Sequence, residues 1–339
     1  MAVLEKAAEA WRLLNGVFCV YKPAGITFNS IRFRIANKLT DELNAMQRED
    51  VPPLVKILPP SPEDDSAEFR VTTVPDLRRH PLVVGPGYTK EDFYIRHTTG
   101  FLKEMAGVTV VSIGSGSPRR IFEAITDRNP VCTYHIDGKF GLRTDDYLET
   151  GRVLEKTSFD FVTRTRLQKF LSFYQARYQK LIYQAYGVDP QSQEAYEMHS
   201  RGLLRPGNVS NPLLYRIQCV SFHKPYFTLE VQCVNETDKF LLKILNDVAE
   251  DLKSSAVCTK IRRIRWGNFT LDHALLYKHW NVAGIIEGIN ECGPAVRNEL
   301  RLLEEPYLTD VKDIPQGPRL TAGDPILSLS ASNFPRIGT

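Results

Sequence analysis

Four cations in one short run, Lys260-Ile-Arg262-Arg263-Ile-Arg265-Trp266, are the strongest chemical signal in the chain. On an extended strand side chains alternate, so Lys260 and Arg262 share one face and Arg263 and Arg265 the other. Cations beside an aromatic suit a nucleic-acid strand, with charges meeting phosphates and the ring meeting a base. The plain alternative is an edge strand that keeps other strands away by its charge. Arg119-Arg120, Arg201 and Arg205 could extend the footprint.

A second signal is the stretch RHTTGFLKEMAGVTVVSIGSG, Arg96 to Gly116. Its His-Thr-Thr-Gly turn leads through a short amphipathic segment to an apolar run, Val108 to Ile113, and a Gly-Ser-Gly turn. A loop braced by a buried strand is the kind of platform active sites are built on. Yet Glu104 is the sole carboxylate between His97 and Gly107, and Phe101-Leu102 fills the middle. Gly114-Ser-Gly116 lacks the third glycine and later acid of a dinucleotide loop and reads as a strand-to-helix turn. Tyr134 either stacks on a base or packs in the core. Neither a Ser/His/Asp order nor a metal-ligand spacing stands out.

The elements that position these residues follow from periodicity and turn chemistry. Gly16 to Tyr21 is a buried strand, and Thr27 or Asn29 caps a helix over Ser30 to Leu39. The chain then turns polar and Pro-rich to Asp76, which reads as a mobile surface insertion. Asp92 to Ile95 is a short strand, and Ser117-Pro118 starts a helix. Asp137-Gly138 between two β-like runs predicts a hairpin. Thr163 caps a helix to about Ala176, and Gln191 to Leu203 is another. Strands at 213–222 and 227–234, a helix at 237–252, strands at 256–265 and 267–271, and a last helix opening at 272–276 complete the pattern. Strands and helices mixed in this way argue α+β.

Composition sets the outer bounds. The 339 residues are 42% hydrophobic and 24% charged, ordinary for a globular chain with a sizeable core. A net charge of +3 is too small to name a partner, so local clustering has to. Six widely spaced cysteines without a CxxC pair read as reduced thiols of an intracellular protein. No apolar run is long enough to span a membrane.

Several segments together resemble one family, the TruB-type pseudouridine synthases. Asn15 to Thr27 (NGVFCVYKPAGIT) is similar to the family's KPxGxT signature. HTTGFLKEMAGVTVVSIGSG resembles its catalytic GHTGTLDPLATGVL motif and following strand. Thr133-Tyr134, with Gly141, Thr144-Asp145 and Gly151, looks like its tyrosine strand and TDxxxxxG turn. Residues 193–202 resemble AYExxRxG, and residues 256–269 resemble A…LRRTxxGxF. The resemblance covers about residues 15–280 in order. Runs at 155–164, 193–206 and 256–263 are most similar to the animal mitochondrial branch.

The resemblance implies a pseudouridine-synthase-like fold, a central mixed, mostly antiparallel sheet flanked by helices around an RNA cleft. It implies three parts: an N-terminal helix over 1–14, a synthase domain over 15–300 with its insertion at about 40–76, and a loose tail over 301–339 with no evident added RNA-binding domain. It also implies isomerisation of uridine in RNA without metal or cofactor. The base is flipped from its stack, a carboxylate acts as nucleophile, and the rotated base rejoins through carbon. A tyrosine stacks on the uracil and an arginine pairs with the carboxylate, holding it ionised.

Carried over residue by residue, Tyr134 keeps the stacking tyrosine, and Lys22, His97, Arg262 and Arg263 are the expected RNA contacts. The nucleophile's position, however, holds Leu102, and its arginine partner falls at Leu242. Leucine can be neither nucleophile nor base. Losing both charges together avoids the roughly 3 kcal/mol or more of an unpaired buried guanidinium. Glu104 would need a rebuilt loop to substitute, and Asp92 lies across the strand and turn. Three readings follow: an RNA-binding homologue of transfer or mitochondrial RNA without its own turnover, an active synthase with a non-standard carboxylate, or a non-catalytic RNA-granule or ribosome-assembly protein. The resemblance places it in mitochondria, with the cytoplasm or nucleus as the alternative, and mitochondrial RNA-processing proteins as partners beside RNA. The side chain nearest Tyr134 discriminates, because an acidic oxygen there revives the chemistry.

Overall fold

In a computed structural model of the chain, residues 6–47, 54–58, 70–74, 85–98, 103–200 and 211–304 are described. The chain opens with α1 (Ala7–Leu13), β1 (Gly16–Lys22) and α2 (Phe28–Ala45). β2 (Leu54–Leu58) and β3 (Arg70–Val74) precede β4 (Ile95–His97), β5 (Ala106–Ile113), α3 (Ser117–Asp127) and β6 (Cys132–Phe140). β7 (Leu142–Thr144), β8 (Val153–Lys156), α4 (Arg164–Tyr186) and α5 (Gln193–Ser200) follow. The last third holds β9 (Leu213–His223), β10 (Tyr226–Val234), α6 (Asp238–Asp251), β11 (Ala256–Trp266), β12 (Phe269–Thr270), β13 (Ala274–Leu275) and α7 (Val282–Glu304).

One sheet organises the molecule, in the order β13-β1-β5-β11-β6-β10-β9, with β4 beside β5 and β12 beside β11. Its pairs are antiparallel except β1 with β13 and β5 with β11. The α+β class expected from the sequence is what the chain adopts. All eight residues of β5 are buried, so both faces of the sheet are covered there. Thr27, Thr163 and Thr237 cap α2, α4 and α6, each accepting a backbone N–H three residues on. Among the described residues no helix is long and apolar enough to cross a membrane.

Several boundaries differ from the sequence reading. α2 continues past Leu39 to Ala45 because Leu43 is fully buried, and Glu42 accepts the N–H of Val282 at 2.7 Å. Within the polar insertion, β2 and β3 pair as a two-stranded sheet. The Asp137-Gly138 hairpin does not form. Both residues lie inside β6, where Gly138 faces Phe227 on β10 and a Cβ would come 2.5 Å from that ring. Asp137 accepts the Thr228 hydroxyl at 2.7 Å, so this dipeptide is tied across strands rather than turning. The last helix starts at Val282, after β13 has joined the edge of β1 and Trp280 has donated to the carbonyl of Leu275. α7 reaches Glu304, and the rest of the expected tail, 305–339, lies outside the described residues.

Candidate functional site

Sheet register brings four distant segments into one row. Lys22 on β1 opposes Gly107 on β5, Gly107 pairs with Arg263 on β11, Arg263 opposes Tyr134 on β6, and Tyr134 opposes Val231 on β10. Residues directly opposite share a face, so Lys22, Arg263 and Tyr134 point the same way. Gly107 makes the close approach possible. Its φ is +124°, and a Cβ there would meet the Arg263 backbone carbonyl at 2.1 Å. Gly107 is thus a packing requirement of the row.

Lys22 and Arg263 are each 1% exposed, and both hold the loop that precedes β5. Lys22 Nζ donates to the carbonyls of Met105 at 2.6 Å and Lys103 at 3.0 Å. Arg263 Nε donates to the carbonyl of Val108 at 2.9 Å, and its Nη2 donates to Thr98 Oγ1 at 3.1 Å. Burial works against the guanidinium's charge, but the groups of Tyr134, Cys132 and Glu236 outweigh it and its pKa moves up. For Lys22 burial wins over the attraction of Glu104, and its pKa falls to about 8. Both side chains that the sequence offered as RNA contacts are therefore spent inside the fold.

The Lys22 shift has a measurable sign. Between about pH 8 and the ordinary lysine value of 10.5 the unfolded chain binds more protons than the folded one. Stability therefore gains from this group as pH rises through that window and loses as it falls. Lys22→Met removes the gain and strands two buried carbonyls. Denaturant titrations at pH 7.5 and 9.5 should show Lys22→Met less stable at both, with the larger deficit at 9.5; an equal deficit means Lys22 does not titrate there.

Tyr134 is fully buried, and burial above all pushes its pKa well up. Its hydroxyl donates to Glu236 Oε1 at 2.6 Å. Glu236 stands between the end of β10 and the Thr237 cap of α6, next to Asn235 at φ +55°. Thr98, Cys132, Asn235, Glu236 and Trp266 line a cavity of about 120 Å³ at this end of the sheet. That is far below the volume of an ordinary ligand pocket and has room for about one ring. Sequence reasoning missed Glu236, whose Asn-Glu-Thr context reads as a capping turn.

The cationic run is rearranged as well. Register shifts on either side of it set Lys260 opposite Asp137, Arg262 opposite His135 and Arg265 opposite Thr133. These three β6 residues alternate, so Lys260, Arg262 and Arg265 lie on one face, and Arg263 alone turns inward. The expected pairing of Arg263 with Arg265 fails because the bulge at Ile264 inserts one residue. On that polar face Glu230 takes His135 Nε2 at 3.4 Å and the Gln218 amide at 3.0 Å.

The remaining candidates scatter. His97 is half-buried and stacks on Phe28 with centroids 3.6 Å apart; burial first, and Arg32 nearby, lower its pKa. Asp92 is exposed and accepts the N–H and hydroxyl of Thr89. Glu104 is exposed beside Lys22. Leu242 is 7% exposed in the core side of α6. Arg119 pairs with Glu123 at 3.0 Å, whereas Leu102, Arg201 and Arg205 lie outside the described residues. All six cysteines are buried and free. Among the described residues no group of His, Cys, Asp and Glu could hold a metal ion.

A central mixed, mostly antiparallel sheet flanked by helices is the fold that the sequence resemblance implied. Residues 97–238 match the TruB family pseudouridylate synthase (N terminal domain). The chain is 37% identical over 325 residues to Pseudouridylate synthase TRUB2, mitochondrial, of Homo sapiens, covering 91% of this chain and 96% of that protein. It is 36% identical over 290 residues to the protein of the same description in Xenopus tropicalis, covering 84% and 88%. A chain from the archaeal box H/ACA sRNP Nop10-Cbf5 complex aligns at a TM-score of 0.43 and 11% identity, over 85% of this chain and 60% of its own length. The chain belongs to the TruB family of pseudouridylate synthases.

Proposed function

We propose that this chain binds RNA on the polar face of β11 and β6 and does not isomerise uridine through a loop carboxylate. The observation that carries the RNA reading is the alignment of Lys260, Arg262 and Arg265 on one face of the sheet, opposite the face into which Arg263 and Tyr134 turn. Transfer RNA or mitochondrial RNA is the proposed substrate class, and the names of its relatives favour the mitochondrion and its RNA-processing proteins as the setting. The chemical reason for withholding turnover is Leu102, which offers neither a nucleophile nor a base.

One observation favours a second reading, an active synthase with a non-standard carboxylate. Glu236 brings an acidic oxygen to within 2.6 Å of the Tyr134 hydroxyl and lines the small cavity beside it. In that reading Glu236 is the nucleophile, and the Tyr134 hydroxyl positions its carboxylate.

Purified full-length protein with uridine-containing RNA, followed by nucleoside composition analysis, separates the two. No pseudouridine is expected from the wild type. Turnover that disappears in Glu236→Gln would overturn the first reading and establish the second. RNA affinity should drop about tenfold or more when Lys260, Arg262 and Arg265 become alanine, with a shallower dependence on salt. An unchanged affinity removes the RNA reading and leaves a protein-binding scaffold.

A further inference from the structure

A second cavity, of about 250 Å³, lies between α2 and the turn Tyr277–His279. α2 buries Ile31, Ile35 and Leu39 and turns the opposite side of its cylinder outward. That side carries Arg34 with Lys38 and Asn37 with Asp41, two pairs at a spacing of four that stack into neighbouring rows. Tyr277 and Trp280 form the other wall.

Each wall has a defined capacity. The Arg34 guanidinium sits 5.6 Å from the centroid of the Tyr277 ring. Trp280 meets that ring edge-on at 5.2 Å and 74°, and is itself only 2% exposed, so it fixes the tyrosine's tilt. Tyr277 nevertheless remains 61% exposed, which leaves a ring surface open for stacking. Lys38 reaches only as far as the Lys278 carbonyl, at 3.5 Å, too long a separation to hold it.

A site with two cations alone would take any phosphate. Here an acidic side chain stands among the cations, so the fitting ligand brings hydrogen-bond donors along with negative charge. A ribonucleotide does both. Its phosphate meets Arg34 and Lys38, its base stacks on Tyr277, and its ribose hydroxyls donate to the Asp41 carboxylate. We propose that this cavity is a ribonucleotide subsite, filled by one residue of a bound RNA strand. The same helix carries Arg32, close enough to His97 to lower its pKa, so α2 also borders one of the residues expected to contact RNA. The proposal rests on the RNA-binding reading above and locates one part of that interface.

The test uses the full chain and a single-stranded RNA 20-mer, with DNA of the same sequence as comparison. Arg34→Ala with Lys38→Ala should weaken RNA binding about tenfold and flatten the slope of log K against log salt by about 0.7 for each phosphate no longer neutralised. Tyr277→Ala should cost about tenfold with an unchanged slope. Asp41→Asn should reduce the preference for RNA over DNA. Because these side chains face outward, thermal unfolding of each variant should match the wild type. Wild-type affinity and slope retained in all variants, while Lys260→Ala with Arg262→Ala still weakens binding, overturns the subsite and spares the RNA reading. If the wild type binds no RNA, both fail together. Uridine 5′-monophosphate quenching aromatic fluorescence in the wild type but not in Tyr277→Ala would then assign the cavity to a free nucleotide, also against the proposal.

Discussion

Replacing Arg263 with alanine should destabilise the fold by about 3–5 kcal/mol, more than any other single cation in the chain. Its guanidinium holds two separate segments, donating to Val108 on β5 and to the Thr98 side chain at the end of β4. Thr98 is 3% exposed, so truncation leaves its hydroxyl and the Val108 carbonyl in a dry site without that donor. A void also opens where the long side chain, 1% exposed in the native fold, was packed. Lysine should not rescue the loss, because one ammonium on a single stem cannot reproduce a fork that reaches two acceptors. Domains of this kind hold roughly 5–15 kcal/mol in total, so the variant should be close to unfolding at 37 °C. Urea titration measures it, with Arg262→Ala as the neighbouring control, expected within about 1 kcal/mol of wild type. If Arg263→Ala and Arg262→Ala cost the same, the inward arginine is not what ties the loop to the sheet.

That contrast between adjacent arginines also marks the limit of what the sequence discloses. The long central strands, the cap at Thr163 and the α+β class were legible, because Val108 to Ile113 reads as a buried strand from its composition and Thr163 reads as a cap from local chemistry, whereas the short strands β2, β3, β8 and β13 were not. What was not legible depends on register. Nothing local says that a bulge at Ile264 returns Arg265 to the face of Arg262, or that Arg263 opposes Tyr134. Asp137-Gly138 carries every local sign of a turn, yet the glycine is there to admit the Phe227 ring. Glu236 is the sharpest case. It lies 102 residues from Tyr134, and only the antiparallel pairing of β10 with β6 brings them together. The nucleophile's vacancy was read from motif spacing alone, and Leu102 lies outside the described residues, so the chemistry of that loop has to be reached by substitution.

A double substitution reaches it most directly, and the largest functional effect is expected there. We propose that Leu102 and Leu242 occupy the positions at which the family resemblance places the nucleophile and its arginine partner. Leu242 is 7% exposed on α6, so Leu242→Arg alone sets an unpaired guanidinium into the core and should cost about 3–5 kcal/mol. Leu102→Asp alone adds a carboxylate without its partner, which should be protonated or withdrawn from the site and inactive. Together the two charges satisfy each other, and the double variant should recover roughly 1–3 kcal/mol over the sum of the single costs. The row of Lys22, Gly107, Arg263 and Tyr134 is set by strand register, which neither substitution changes. Pseudouridine should therefore form in the double variant and in neither single one. The stability cycle and the nucleoside assay test separate claims. Costs that add to within about 0.5 kcal/mol mean the two leucines are not neighbours. Coupling without product means instead that the Glu236 hydrogen bond keeps Tyr134 from the base, and adding Glu236→Ala to the double variant should then release turnover.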